Sequence, residues 1–169
     1  MEIKSRAARF QHSLSRINKG AAFISGILVV LIMLMTVYEV IGRYAFNSPT
    51  SWSIELSGYL FLISIFFAAA YTLEKKGHVK VDVIVDQVPV KIRHVVFIIT
   101  AILAIIFCAL LLWQTAKLTF DAYDLDWISN TPLKLTLFPI YLAMPVGCVL
   151  LFIQSISDLV LLFSNRKPA

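Results

Sequence analysis

Charge is what this chain most lacks. Only 15% of its 169 residues are Asp, Glu, Lys or Arg, while 59% are hydrophobic and the mean hydropathy is +0.83. Soluble domains carry about a quarter charged residues, so this scarcity excludes an ordinary soluble fold. Cysteine is also sparse. Cys108 and Cys148 each lie inside an apolar run, with no second cysteine or histidine at ligand spacing. That excludes a disulfide framework and a cysteine-based metal site, and both read as small buried hydrophobes. No small-residue cleavage site follows a short apolar core near the start, so the sequence predicts no cleavable signal peptide and a retained first helix.

What is present is long apolar runs. About 20 residues cross a bilayer core, and four segments suffice: 21–40, 54–73, 95–116 and 137–163. The fourth is longer than a crossing needs, which implies tilt or projection. Its Pro145 removes a backbone donor and predicts a kink near Tyr141. Ahead of the first run, residues 3–19 place Ile3, Ala7, Phe10, Leu14 and Ile17 on one helical stripe, away from Arg6, Arg9, Ser13 and Arg16. A basic amphipathic helix lying flat at the membrane surface, among anionic lipid head groups, is expected, with Gly20 permitting a bend into the membrane. Between the second and third runs, residues 77–89 alternate valines with Lys80 and Asp82. A lone strand there has no partner, so a short interfacial helix ended at Pro89 is expected. The fold class is therefore all-α: one integral membrane domain of four spanning helices plus two interfacial ones.

The net charge of +5 resembles a nucleic-acid signal only until it is mapped. Lys4, Arg6, Arg9, Arg16, Lys19, Lys75, Lys76, Lys80, Lys91, Arg93, Arg166 and Lys167 all fall on one side of a four-span arrangement. Only Arg43, Lys117 and Lys134 fall on the other, against Glu39, Glu55, Asp121, Asp124 and Asp126. Positive residues stay in the cytoplasm, so both termini are expected inside and no nucleic-acid partner is expected. Trp52, Trp113 and Trp127 are placed at the outer helix ends, as an aromatic belt requires.

The stretch Gly42–Phe61 is a polar, turn-forming hairpin between the first two spans, and lipid cannot satisfy such backbone. Glu39, Arg43 and Glu55 sit near one depth there and are expected to form an ion-paired corner, because an unpaired charge at that depth is costly. Ser53 is expected to cap the second span, with Glu55 in its first turn. The acidic run Asp121–Asp126 lacks the glycine and closing glutamate of a calcium loop. It reads as a solvated outer loop, with protein docking as the sharper reading.

Span midpoints fall near Leu31, Ser64, Ile105 and Gly147, none of them charged. A proton-coupled exporter needs an acid there, and coupled transporters place paired broken helices around a midplane site. His12, His78 and His94 lie outside the spans, whereas haem between membrane helices needs histidines within them. No catalytic, cofactor-binding or metal-binding residue is expected. The competing readings are a small homo-oligomeric transporter, which the uncharged midplane disfavours, and an anchor subunit of a haem or quinone enzyme, which histidine and cysteine placement disfavour.

The hairpin RYAFNSPTSWSIELSGYLF, then AAAYTLEKKGHVKVDVIVDQVP, and PIYLAMPVG in the last span together resemble the Q-type (DctQ-like) small membrane subunit of tripartite ATP-independent periplasmic (TRAP) transporters. The resemblance runs from about Val37 to Phe163. Its motif residues here are Arg43, Tyr44, Phe46, Asn47, Pro49, Trp52, Ser53, Glu55, Gly77, His78 and Asp82. It implies a bacterial inner-membrane complex. A large membrane subunit would carry the sodium and substrate sites, and a periplasmic binding protein would deliver a carboxylate such as a C4-dicarboxylate or a sialic acid. The small subunit would be a scaffold with no cofactor of its own, sodium being used by its partner.

Overall fold

The structure is a computed structural model that describes residues 2–48, 50–76, 90–131 and 133–164. The expected interfacial segment 77–89, with Gly77, His78 and Asp82, lies outside the described residues, as does Pro49. Among the described residues the chain is helical: α1 (Glu2–Ala45), α2 (Ser51–Lys76), α3 (Val90–Asp124), the single turn α4 (Phe138–Tyr141) and α5 (Ala143–Ser164). Four stretches are long and apolar enough to cross a membrane: Gln11–Ala45, Trp52–Lys75, Val95–Asp124 and Phe138–Val160. No strand forms among the described residues; Ile128 and Thr136 make one isolated antiparallel bridge.

The helices stand in a row. The main contacts run α1 to α2, α2 to α5 and α5 to α3, so α2 and α5 are interior and α1 and α3 are the two ends. Burial follows this order. A third of the last span is buried inside the protein, against 6% of the first and of the third. A row exposes more apolar side chain than a closed bundle, and α1 and α3 show it with Phe23, Met33, Leu34, Leu103, Phe107 and Leu110 all exposed.

At Gly20, where a bend is expected, the helix is not broken. α1 is one uninterrupted helix of 44 residues. Its buried face is Leu14, Asn18, Ala21 and Ser25, a four–three–four spacing that carries straight across Gly20. A glycine in a helix interior costs about 1 kcal/mol relative to alanine, and packing on both sides of it outweighs that. Ile17, also on the expected apolar stripe, is 55% exposed and does not join this buried face. Residues 11–19 therefore join the helix row rather than lying apart from it.

The last span is interrupted at the level where Pro145 predicts a kink. α4 ends at Tyr141, α5 begins at Ala143, and Leu142 keeps right-handed dihedrals between them. Proline has no N–H, so the Tyr141 carbonyl loses its intrahelical donor. Thr119 of α3 supplies one: its hydroxyl donates to Tyr141 O at 3.1 Å while also reaching Thr115 O at 2.8 Å. A neighbouring helix thus satisfies the broken position, which lipid cannot do.

Candidate functional site

The hairpin between α1 and α2 is built by local chemistry. α1 stops where Asn47 takes a left-handed conformation (φ 49°), which asparagine tolerates better than most residues. The Phe46 and Ser48 amides both donate to the Gly42 carbonyl, at 3.3 and 3.0 Å. A Cβ at Gly42 would sit 3.3 Å from the Ser48 carbonyl oxygen, so the turn closes tightly over this glycine. Tyr38 and Trp52 then meet across the hairpin, ring centres 6.0 Å apart. α2 starts at Ser51, two residues before Ser53, so Ser53 is not its cap. The buried Ser53 hydroxyl donates instead to the Met35 carbonyl of α1 at 3.1 Å, pinning the two helices together. Tyr44 and Phe46 stand exposed at the tip.

The structure divides the three-charge corner in two. Arg43 pairs with Glu39 one turn earlier on the same helix, and Glu39 is buried. Glu55 lies beyond the first turn of α2 and turns to different partners. Its Oε1 accepts from the Tyr59 hydroxyl at 3.1 Å and from the Ser129 hydroxyl at 2.5 Å. Ser129 also meets Thr131 at 2.6 Å. It sits in a small closed loop, in which Ser129 N donates to Leu135 O and Leu137 N to Trp127 O, both at 2.9 Å. Left-handed residues at Asp126 and Lys134 shape that loop. Glu55 is therefore the fastener between α2 and the loop joining α3 to α4. Groups with no shared partner contribute additively to within about 0.5 kcal/mol. Glu55→Gln and Arg43→Ala are thus expected to add in a double-mutant cycle of unfolding, whereas Glu55→Gln and Ser129→Ala are expected to couple.

The acids Asp121, Asp124 and Asp126 are not all in a loop. α3 runs eight residues past Ala116, which puts Asp121 and Asp124 on the helix and only Asp126 in the turn. Asp124 and Asp126 are exposed and Asp121 is half-buried. Exposed Tyr123, Leu125 and Ile128 surround them, and Tyr123 also packs on Phe138 with ring centres 5.0 Å apart.

Midway along the row the contacts are small and uncharged. The Ser25 hydroxyl donates to the Ser64 carbonyl at 2.8 Å, and Cys108 and Ser155 meet at 3.4 Å. Gly147 lies against the backbone of Phe66: a Cβ there would be 2.6 Å from the Phe66 carbonyl oxygen. Among the described residues no group of three His, Cys, Asp or Glu could hold a metal ion.

A second polar centre, at the end of the row nearest the termini, is absent from the sequence reading. Asn18 is fully buried, and its amide donates to Glu74 Oε2 of α2 at 3.1 Å and to Gln154 Oε1 of α5 at 2.9 Å. Ser15 donates to Glu74 Oε1 at 2.7 Å, and Gln154 passes the chain on to Asp158 at 2.8 Å. One asparagine thus joins three helices. The signal in the sequence is Asn18 continuing the Leu14 face one turn on, where the amphipathic pattern calls for an apolar residue.

Residues 32–165 match the family model described as tripartite ATP-independent periplasmic transporters, DctQ component. The chain is 28% identical over 153 residues to a TRAP transporter small permease protein of Haemophilus influenzae, covering 89% of this chain and 94% of that one. It is 25% identical over 162 residues to the C4-dicarboxylate TRAP transporter small permease protein DctQ of Vibrio cholerae, covering 81% and 70%. It is also 25% identical over 135 residues to the isethionate TRAP transporter permease protein DctMQ of Oleidesulfovibrio alaskensis, covering 78% of this chain but about a fifth (21%) of that much longer relative. With four membrane-crossing helices and a family match over most of its length, the chain belongs to the DctQ component of the TRAP transporters: it is a multi-pass inner-membrane small permease subunit, not an enzyme.

Proposed function

We propose that this subunit is the static scaffold of a sodium-coupled transporter for a small organic anion, a carboxylate of the C4-dicarboxylate or sialic acid type. It braces a large membrane subunit that performs the transport and uses the sodium, and it helps dock a periplasmic binding protein. The observation that carries this reading is the row of helices, which offers broad apolar faces along α1 and α3 to a larger membrane partner. The midplane hydroxyls that the structure describes are spent on backbone carbonyls of the same row. Small residues on the interior helix α2, Ala70 fully buried among them, allow close helix approach within the row and leave the outer faces of α1 and α3 to the partner. The relative from Oleidesulfovibrio alaskensis supports the partner, because a single chain there joins a region similar to this one to a much longer permease. The substrate class rests on the resemblance and on the name of the Vibrio cholerae relative.

In this reading both termini face the cytoplasm, following the twelve-to-three split of basic residues. Single cysteines introduced at Asp124 and at Lys75 are expected to react with a membrane-impermeant maleimide from opposite sides; Cys108 and Cys148 are buried. Reaction of both from one side would sink the arrangement.

Transport itself is tested in proteoliposomes. Sodium-driven uptake is expected only when this chain, the large subunit and the binding protein are all present. Substantial uptake by this chain alone would end the scaffold reading. Reversing Asp121, Asp124 and Asp126 to lysine is expected to lower uptake at limiting binding protein while leaving the membrane complex intact. Unchanged uptake would remove the docking role only.

A further inference from the structure

The outward face of α1 changes character at one level. His12, Arg16, Lys19, Phe23, Ile27, Val30 and Leu34 follow one another at spacings of four, three, four, four, three and four, which is one stripe of a helix. It is the stripe opposite Leu14, Asn18, Ala21 and Ser25, the face that packs on α2 and α5. Its first three members are polar and exposed, and from Phe23 (72% exposed) onward it is wholly apolar. Arg16 and Lys19 make no ion pair among the described residues, and Glu74, an acid at this end of the row, is turned inward to Ser15 and Asn18. Gly20 sits beside the two cations with nothing within 4 Å of where a Cβ would be, leaving a gap in the side-chain cover.

The level is that of a head group. From Phe23 to Tyr44 the helix rises about 32 Å at 1.5 Å per residue, which matches a hydrocarbon core of about 30 Å. Lys19 and Arg16 then lie about 6 and 10 Å beyond the core edge, among phosphates. We propose that this face is a seat for an anionic phospholipid, its phosphate held by Arg16 and Lys19 beside Gly20 and its acyl chains lying along Phe23, Ile27 and Val30. The sequence alone suggests cations along the polar face of a flat helix, beside its apolar stripe. The upright α1 instead aligns charge and apolar surface end to end, as one lipid molecule is built. The proposal depends on the membrane placement and not on the transport role, so its main test uses this chain by itself.

The full chain is reconstituted in vesicles of phosphatidylcholine with one-fifth phosphatidylglycerol, then released in mild detergent and weighed with its bound lipid by native mass spectrometry. Phosphatidylglycerol is expected to be retained over phosphatidylcholine. Arg16→Gln with Lys19→Gln is expected to reduce that retention by up to roughly thirtyfold, about fivefold per cation. Lys117→Gln with Lys134→Gln, which removes the same charge at the opposite end, is expected to leave it unchanged. Equal retention of the two lipids, or equal loss in both variant pairs, would overturn the site. So would a photo-crosslinker at position 16 that, in the assembled complex, captures the large subunit instead of lipid.

Discussion

Gly147→Leu is expected to abolish the α2–α5 contact and with it the assembled fold. Even the single Cβ of Gly147→Ala would lie 2.6 Å from the Phe66 carbonyl oxygen and 2.7 Å from its carbonyl carbon and Cβ. Two of these three are backbone atoms and cannot rotate away, so the helices must separate. Overpacking of this kind costs about 1–3 kcal/mol for a small excess and more for a branched side chain. The contact is central, because α2 and α5 are the interior pair of the row and everything else hangs on them. Gly26 is the control. Nothing lies within 4 Å of a Cβ there, and Gly26→Ala is expected to be neutral or to gain up to about 1 kcal/mol from helix propensity. Unfolding by a denaturing detergent in lipid bicelles measures both. Similar responses from the two glycines would mean that α2 and α5 do not approach as closely as the structure shows.

The second large effect is at Asn18. Asn18→Ala removes donors to Glu74 and Gln154 at once, and both acceptors lie against the space it fills. A hydrogen bond to a charged group contributes about 1.5–3 kcal/mol in water, while bonds between membrane helices average about 0.6 kcal/mol. A loss of about 2 kcal/mol lies between these limits. Because Asn18 and Gln154 share one network, Asn18→Ala and Gln154→Ala are expected to be less than additive. The first turns of α1 are expected to loosen from the row, so that trypsin cuts at Arg16 and Lys19 much faster than in the unaltered chain. An unchanged digestion rate together with additive unfolding energies would show that Asn18 does not hold the N-terminal turns in place. Asn18→Leu separates packing from polarity. It restores the volume without the donors, and it should recover little if hydrogen bonding is what matters.

Much of this was legible in the chain itself. The four spans follow from apolar runs of bilayer length, and the hairpin follows from polar turn residues that lipid cannot hold. The break at Tyr141 follows from Pro145 lacking an N–H. These are local rules, in which each residue's own chemistry excludes the alternatives. Two of the expectations that changed concern where a polar group finds its partner, and a third concerns the backbone. Ser53 looked like a cap because it stands just before an apolar run, yet it bonds to Met35 of another helix. Glu55 looked like the partner of Arg43 because both lie at one depth, yet it takes Ser129 from a loop 74 residues away. Gly20 looked like a bend because glycine permits one, yet the buried face continues across it.

The sequence by itself determined that this protein crosses a membrane four times and, through its hairpin together with the segments at 68–89 and 139–147, which family it resembles. Hydropathy, span length and turn chemistry are properties of contiguous residues, so no folding needs to be known to read them. Only the tertiary structure decided the order α1, α2, α5, α3 and the burial of Asn18 among three helices. It also decided the approach of Gly147 to Phe66 and the use of Thr119 to satisfy Tyr141. In apolar spans nearly every face is hydrophobic, so periodicity does not say which face meets which neighbour. That choice is made by close packing at small residues and by the few polar atoms that must find a partner away from water.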